Sequence, residues 1–113
     1  MVDAQMTSTT FDLPDHAVHA SLGVVRGVAV RSRSILGTFL ARMQTVLGGD
    51  ITVLTLLCEK TRRDAFEIML HHAERVGANA VIGVRYDATE ILPGVTEVLC
   101  YGTAVVVEES AHQ

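Results

Sequence analysis

Gly77-Ala78-Asn79-Ala80-Val81-Ile82-Gly83-Val84-Arg85-Tyr86-Asp87 joins the end of a helix-like segment to a strand-like run, and its reading decides the fold. The helical pattern before it ends in Glu74-Arg75-Val76, and Gly77, without a Cβ, suits a left-handed C-cap. Arg75 adds positive charge near the carbonyl end of that helix. Ala78 and Ala80 are small, as a chain passing closely between a helix and a sheet requires. Asn79 can bond local backbone groups at the turn. From Ala80 the chain alternates. Ala80, Ile82, Val84 and Tyr86 point one way, and Val81, Gly83, Arg85 and Asp87 the other. Apolar residues on both sides predict a strand covered on both faces, turning polar only at Arg85 and Asp87, where its far end meets water.

Working outward, Leu54, Leu57, Cys58, Thr61, Ala65, Ile68, Met69, His72, Ala73 and Val76 form one stripe at steps of three and four. Lys60, Arg63, Asp64, Glu67, His71, Glu74 and Arg75 lie opposite, so a long amphipathic helix is predicted. Its start is open, because Ile51 to Leu57 also suits a strand; Asp50 is a candidate cap. Leu36, Phe39, Leu40, Met43, Val46 and Leu47 predict an earlier helix, capped by Ser32 or Ser34 and ended by Gly48-Gly49. Residues 17–30 alternate as a first strand, with Val18, Ala20, Leu22, Val24, Val28 and Val30 in one row. Gly23 and Gly27 predict a bend or bulge that turns Arg26 outward. Residues 88–94, with Pro93 and Gly94, read as a turn, and residues 95–107 as a third strand paired antiparallel with the second.

The order is β-α-α-β-β: an α+β domain with a small three-stranded sheet and two helices on one face. Residues 1–16 read as a flexible arm, 17–108 as a single domain and 109–113 as a frayed tail.

At 113 residues the chain fits one domain with a core of its own. Aromatic residues are 4% and tryptophan is absent, so that core is aliphatic. The net charge is -4 and no basic run exceeds Arg62-Arg63. Both speak against nucleic acid, which also needs stacking platforms that this chain lacks. Cys58 and Cys100 lack the spacing of a zinc site. No leader or bilayer-length apolar run appears, so a cytoplasmic protein without membrane contact is expected.

Two helices cover one face of a small sheet. All three strands nevertheless carry apolar or small residues on both faces. An exposed second face would be a large apolar patch of a kind that monomers avoid. A homo-oligomer with the sheet at its interface is expected.

Gly23-Val24-Val25-Arg26-Gly27, Gly48-Gly49, Arg62, Ala65, the Gly77–Asp87 stretch and Gly102-Thr103-Ala104-Val105 together resemble the YbjQ-like family, over about residues 20–107. The motif and structural positions are Gly23, Gly27, Gly48, Gly49, Gly77, Asn79, Gly83, Gly102 and Thr103. That bacterial group carries a heavy-metal-binding label and no established activity. The resemblance implies a dodecin-like subunit assembled into a ring, a pentamer. It implies a metal by label only, without a ligand set. The chain departs from its relatives where Leu54-Thr55-Leu56-Leu57-Cys58 replaces a more polar helix start with a tyrosine.

Glu67 and His71 lie one helical turn apart and form the one local metal pair, but a third ligand is missing. A solvated pair on the polar face is the simpler account. His72 and Cys58 read as stripe residues. His16 and His19 read as surface residues. Arg26, Arg62 and Arg85 suit either an anion pocket in a ring or salt bridges to Asp87, Glu90 or Glu97. No catalytic triad, nucleophile elbow or phosphate loop is present. Three functions follow: a non-enzymatic ring binding a metal or small ligand at subunit boundaries, a structural or interaction platform, and an enzyme with an inter-subunit site built from Arg62, Tyr86 and Glu97.

Overall fold

A computed structural model describes residues 2–32, 34, 37, 38, 41, 42 and 50–109. A one-turn 3-10 helix (Ala4–Met6) precedes β1 (His16–Ser32), α1 (Asp50–Arg75), β2 (Ala80–Leu92) and β3 (Val95–Glu109). The strands form one sheet in the order β1-β3-β2, antiparallel throughout. The α+β class stands, with one described helix in place of the two expected. The earlier helix, including Gly48 and Gly49, falls for the most part outside the described residues. In the part described, Thr38 Oγ1 donates to the Ser34 carbonyl at 3.0 Å, a helical spacing.

α1 packs on the sheet through a single row at steps of four: Leu57, Thr61, Ala65, Met69 and Ala73, all buried. The expected stripe is therefore rotated. Ile68 (43% exposed) and Val76 (41%) lie at its margin, while Phe66 and Leu70 pack from the other side. The buried row holds small residues because the helix comes very close to β1. A Cβ on Gly27 would stand 2.0 Å from the Ala65 carbonyl oxygen and 2.5 Å from the Met69 amide nitrogen. Gly27 thus marks a helix crossing rather than the bulge expected there. The irregularities of β1 fall between Val18 and Ala20 and between Ser21 and Gly23. Beyond Gly23 the strand runs regularly, so Arg26 points away from the helix by simple alternation. Thr61, polar within the row, donates its hydroxyl to the Leu57 carbonyl at 2.8 Å.

The deciding stretch behaves as a Schellman cap. The Gly77 N–H reaches the Glu74 carbonyl at 3.1 Å, and the Ala78 N–H reaches the Ala73 carbonyl at 3.0 Å. Ala73 and Ala78 are both buried in the core, supplying the apolar contact that accompanies this motif. Asn79 bonds across the sheet rather than locally. Its Nδ2 donates to the Val107 carbonyl (3.0 Å) and its Oδ1 accepts from the Val107 N–H (2.8 Å). The side-chain amide thereby extends the β2–β3 ladder by one more pair of bonds.

β2 continues five residues beyond the point where a turn is expected, and only Pro93-Gly94 remain as the turn. Pro93 followed by Gly94 at φ 78° has the sequence and the positive angle of a type II turn, which needs no further residues.

Residues 2–15, for which composition predicts a loose arm, dock along the outer edge of β2. The Ser8 N–H donates to the Val81 carbonyl, and the Ser8 carbonyl accepts from the Val84 N–H, both at 3.0 Å. The Gly83 N–H donates to the Thr10 carbonyl at 2.7 Å. An open strand edge is a row of unpaired backbone groups, and the arm satisfies part of it. Its Met6 and Leu13 pack with Ala80, Ile82, Val105 and Val107 on the face away from α1.

Candidate functional site

Among the described residues, α1 and the arm leave two main regions uncovered. One is the remainder of the sheet face opposite α1. Strand pairing arranges it in rows across β1, β3 and β2: Val24-Thr103-Ile82, Arg26-Tyr101-Arg85, Val28-Leu99-Asp87 and Val30-Glu97-Thr89. Val24 is 69% exposed, with Val18, Leu22, Val28 and Val30 also exposed beside it. The face carries an apolar strip along β1, a basic row, and carboxylates one and two rows further on.

The other region is a groove of about 380 Å³ between the start of α1, the end of β1 and the β2–β3 hairpin. Leu57, Ala88 and Val98 give it apolar walls, and Arg31, Arg62 and Glu90 give it charge. Arg31 is held by Asp64, which Lys60 also approaches at 3.2 Å. Among the described residues, the nearest carboxylate to the Arg62 guanidinium is Glu59, 4.0 Å away.

The expected trio is divided between these regions. Arg62 lies on the groove, and Tyr86 stands on the same side of the sheet, opposite Cys100. Burial pushes the Tyr86 phenol up to about 12, reinforced by the neighbouring Cys100 and eased by Arg62. Glu97 projects from the opposite face, level with Val30 and Thr89. In its place the hairpin brings Glu90 and Thr96 to the groove, two residues that sequence reasoning did not join to Arg62.

The other candidates separate further. Glu67 and His71 line a second, shallower groove with Asp64, beside Val28 and Val30. Among the described residues no three His, Cys, Asp or Glu side chains converge as a metal site. Asp64 is engaged by Arg31 and Lys60, leaving Glu67 and His71 as two donors only. Cys58 is exposed and Cys100 buried, and both are free thiols. The Cys100 Sγ reaches Met69 Sδ at 3.7 Å, and burial pushes its thiol up. His72 is half-buried and accepts the Arg26 N–H on Nδ1 at 3.2 Å. Arg85 donates to the Thr9 (2.7 Å) and Val84 (2.9 Å) carbonyls and pins the arm. His16 bonds the Pro14 carbonyl, and His19 lies exposed near Glu108. Among the remaining motif positions, Gly83 sits under the Phe11 ring. A side chain at Gly102 would strike Val81. Thr103 occupies the first of the exposed rows.

Among the described residues, one long amphipathic helix laid on one face of a three-stranded antiparallel sheet defines a small two-layer α+β protein. A solved structure shares this fold: a protein of unknown function of the DUF74 family from Pediococcus pentosaceus, with a TM-score of 0.54 at 13% identity, covering 90% of this chain and 96% of that one. The YbjQ family model, described as "Putative heavy-metal-binding", matches residues 5–108, and the chain belongs to that family. Its relatives include a UPF0145 protein of Paraburkholderia phymatum, 64% identical over 93% of this chain and 95% of the relative. UPF0145 proteins of Burkholderia mallei are 59% identical over the same shares. The donor set described above does not fit the metal that the family description suggests. Among the described residues no helix is long and apolar enough to cross a membrane.

Proposed function

We propose that the protein is a non-catalytic module acting as an assembly of identical subunits, joined through the sheet face opposite α1. The supporting observation is the surface it exposes. It is apolar along β1, where Val24 is 69% exposed and Val18, Leu22, Val28 and Val30 are exposed beside it. This strip is the kind of apolar patch that a partner covers. A second copy suits this face by charge as well as by hydropathy. Arg26 and Arg85 occupy one row, Asp87 and Glu97 the next two, so a copy meeting the face in reverse sets basic rows against acidic ones. A contact of this face with itself is two-fold; a ring of five, the number that the family resemblance implies, would join it instead to a different surface of the next copy.

Sedimentation equilibrium of the full chain tests this reading. The wild type should sediment as a discrete multiple of the subunit mass at micromolar concentration. Val24→Asp, at an exposed position and hence harmless to the subunit's own core, should dissociate it. A single subunit at every concentration would refute the proposal.

A further inference from the structure

The groove at the start of α1 lies on the opposite side of the sheet from the proposed contact face, so what it binds is a separate question. At about 380 Å³ it falls in the range of small-molecule pockets, with room for about a dozen water-sized groups. Its walls are apolar where α1 faces the hairpin: Leu57 is buried, and Val98 is packed against the core. Its charges are unequal. Arg31 is held by Asp64, so it contributes to the field without offering a free guanidinium. Among the described residues, Arg62 has its nearest carboxylate, Glu59, at the 4.0 Å limit of an ion pair. That leaves its planar fork of donors turned to solvent beside an apolar recess.

We infer that the groove binds a small monocarboxylate with a compact apolar body, the body lying against Leu57, Ala88 and Val98 and the carboxylate on Arg62. A carboxylate matches the guanidinium fork in shape as well as charge. One carboxylate is also the limit. With Arg31 already matched by Asp64, and Glu90 on the groove wall, a second negative charge meets a carboxylate instead of a cation. An organic cation is disfavoured by Arg62 itself.

The groove contains its own reporter. Cys58 is exposed on the groove wall, while Cys100 is fully buried, so alkylation of the native protein reads Cys58. The probe is 3-phenylpropionate, with 3-phenylpropionamide as its uncharged isostere. Both are titrated into the full chain at millimolar concentrations, the range expected of a ligand this small. Iodoacetamide modification of Cys58 is followed by peptide mass spectrometry.

The carboxylate should slow alkylation several-fold in a saturable manner, and the amide should bind about five- to tenfold more weakly. Arg62→Ala should weaken the carboxylate by the same factor without affecting the amide. Glu90→Gln should tighten the carboxylate. Each variant is compared with itself in the absence of probe, which removes any direct effect of residue 62 on the thiol one turn away. Val24→Ser, on the opposite face, should leave protection unchanged, separating this site from the contact surface. Equal protection by acid and amide, or undiminished protection in Arg62→Ala, would overturn the assignment to a carboxylate. Absence of any protection would overturn the pocket, and would mean that the chain itself or a neighbouring copy fills it.

Discussion

Gly27→Ala is the smallest change that probes the contact on which the fold rests. The added Cβ would stand 2.0 Å from the Ala65 carbonyl oxygen and 2.5 Å from the Met69 nitrogen, both backbone atoms of α1. No side chain can rotate out of the way. Ordinary contact begins near 3.4 Å, so α1 must retreat by about 1.4 Å at Ala65 or tilt about its ends. A gap of about 0.5–1 Å already forfeits a quarter to a half of a van der Waals contact. The row Leu57, Thr61, Ala65, Met69 and Ala73 would therefore lose much of its packing on Val25, Ala29 and Cys100. Overpacking a core costs about 1–3 kcal/mol when side chains can give. Here only the helix backbone can give, and we expect about 3–5 kcal/mol. Against a typical stability of about 5–15 kcal/mol, that is a large fraction. With a urea m-value of about 1.5 kcal/mol/M, the midpoint should fall by about 2–3 M. The assay is far-UV circular dichroism in urea at one fixed subunit concentration, because self-association would couple to stability. Gly23→Ala is the control. Its Cβ meets nothing within 4 Å, so only its φ of 97° opposes it, a cost of about 1–2 kcal/mol. If Gly27→Ala is no worse than Gly23→Ala, the close approach of α1 to β1 is wrong.

Two further outcomes test neighbouring parts of the molecule. Asn79→Ala removes both bonds to Val107 and leaves that residue's N–H and carbonyl unpaired, so stability should fall by about 1–3 kcal/mol. Hydrogen exchange at the Val107 amide should accelerate; an unchanged rate would show that the clamp is not made in solution. Ultraviolet titration should resolve the phenols, with Tyr86 ionising only near pH about 12. A raised acid pKa means that the folded state holds its proton longer than the unfolded one. The associated stability is thus complete below about pH 10 and is lost as the pH rises through about 12. Ionisation of every phenol near pH 10 would contradict the partial desolvation of this ring, which is 45% exposed.

The fold was legible wherever a local rule and a tertiary need coincide. Gly77 is such a place: the helix end, the left-handed glycine and the apolar Ala73–Ala78 contact are all written within six residues. Gly27 is not. A glycine inside a strand signals either a bulge or a close approach, and Gly23, four residues earlier, sends the same signal with the other meaning. What separates them is the helix opposite. Small residues at Thr61, Ala65 and Ala73 say that α1 comes close, but only the packed register shows that Gly27 faces them. The arm hides its purpose by a similar route. Its average composition is polar, while Val2, Met6 and Leu13 are the few apolar side chains that bury. Asn79 was legible as a bonding residue but not in its partner, because Val107 lies 28 residues away.

The candidate site depended on a single residue of register. In a hairpin without irregularity, Leu92 opposite Val95 would set Tyr86 opposite Tyr101, and thereby on the face that carries Glu97. The pairing instead slips between Glu90 and Leu92, so Glu90 meets Thr96 and Tyr86 meets Cys100. One unpaired residue, Ile91, transfers the side chains from Arg85 to Glu90 to the other face, the consequence of a period of two, until a second irregularity between Ile82 and Arg85, at Gly83 (φ 63°), shifts the register again. Tyr86 moves to the side of α1 and Arg62 while Glu97 remains behind. The same slip places Glu90 rather than Thr89 on the groove beside Arg62, and leaves Asp87 on the outer face one row from Arg85. Both the groove's charge and the charge order of the outer face thus follow from where the hairpin inserts its extra residue. A β-branched residue beside a Pro-Gly turn does not announce a bulge. The composition of the site was therefore open to sequence reasoning, and its membership was not.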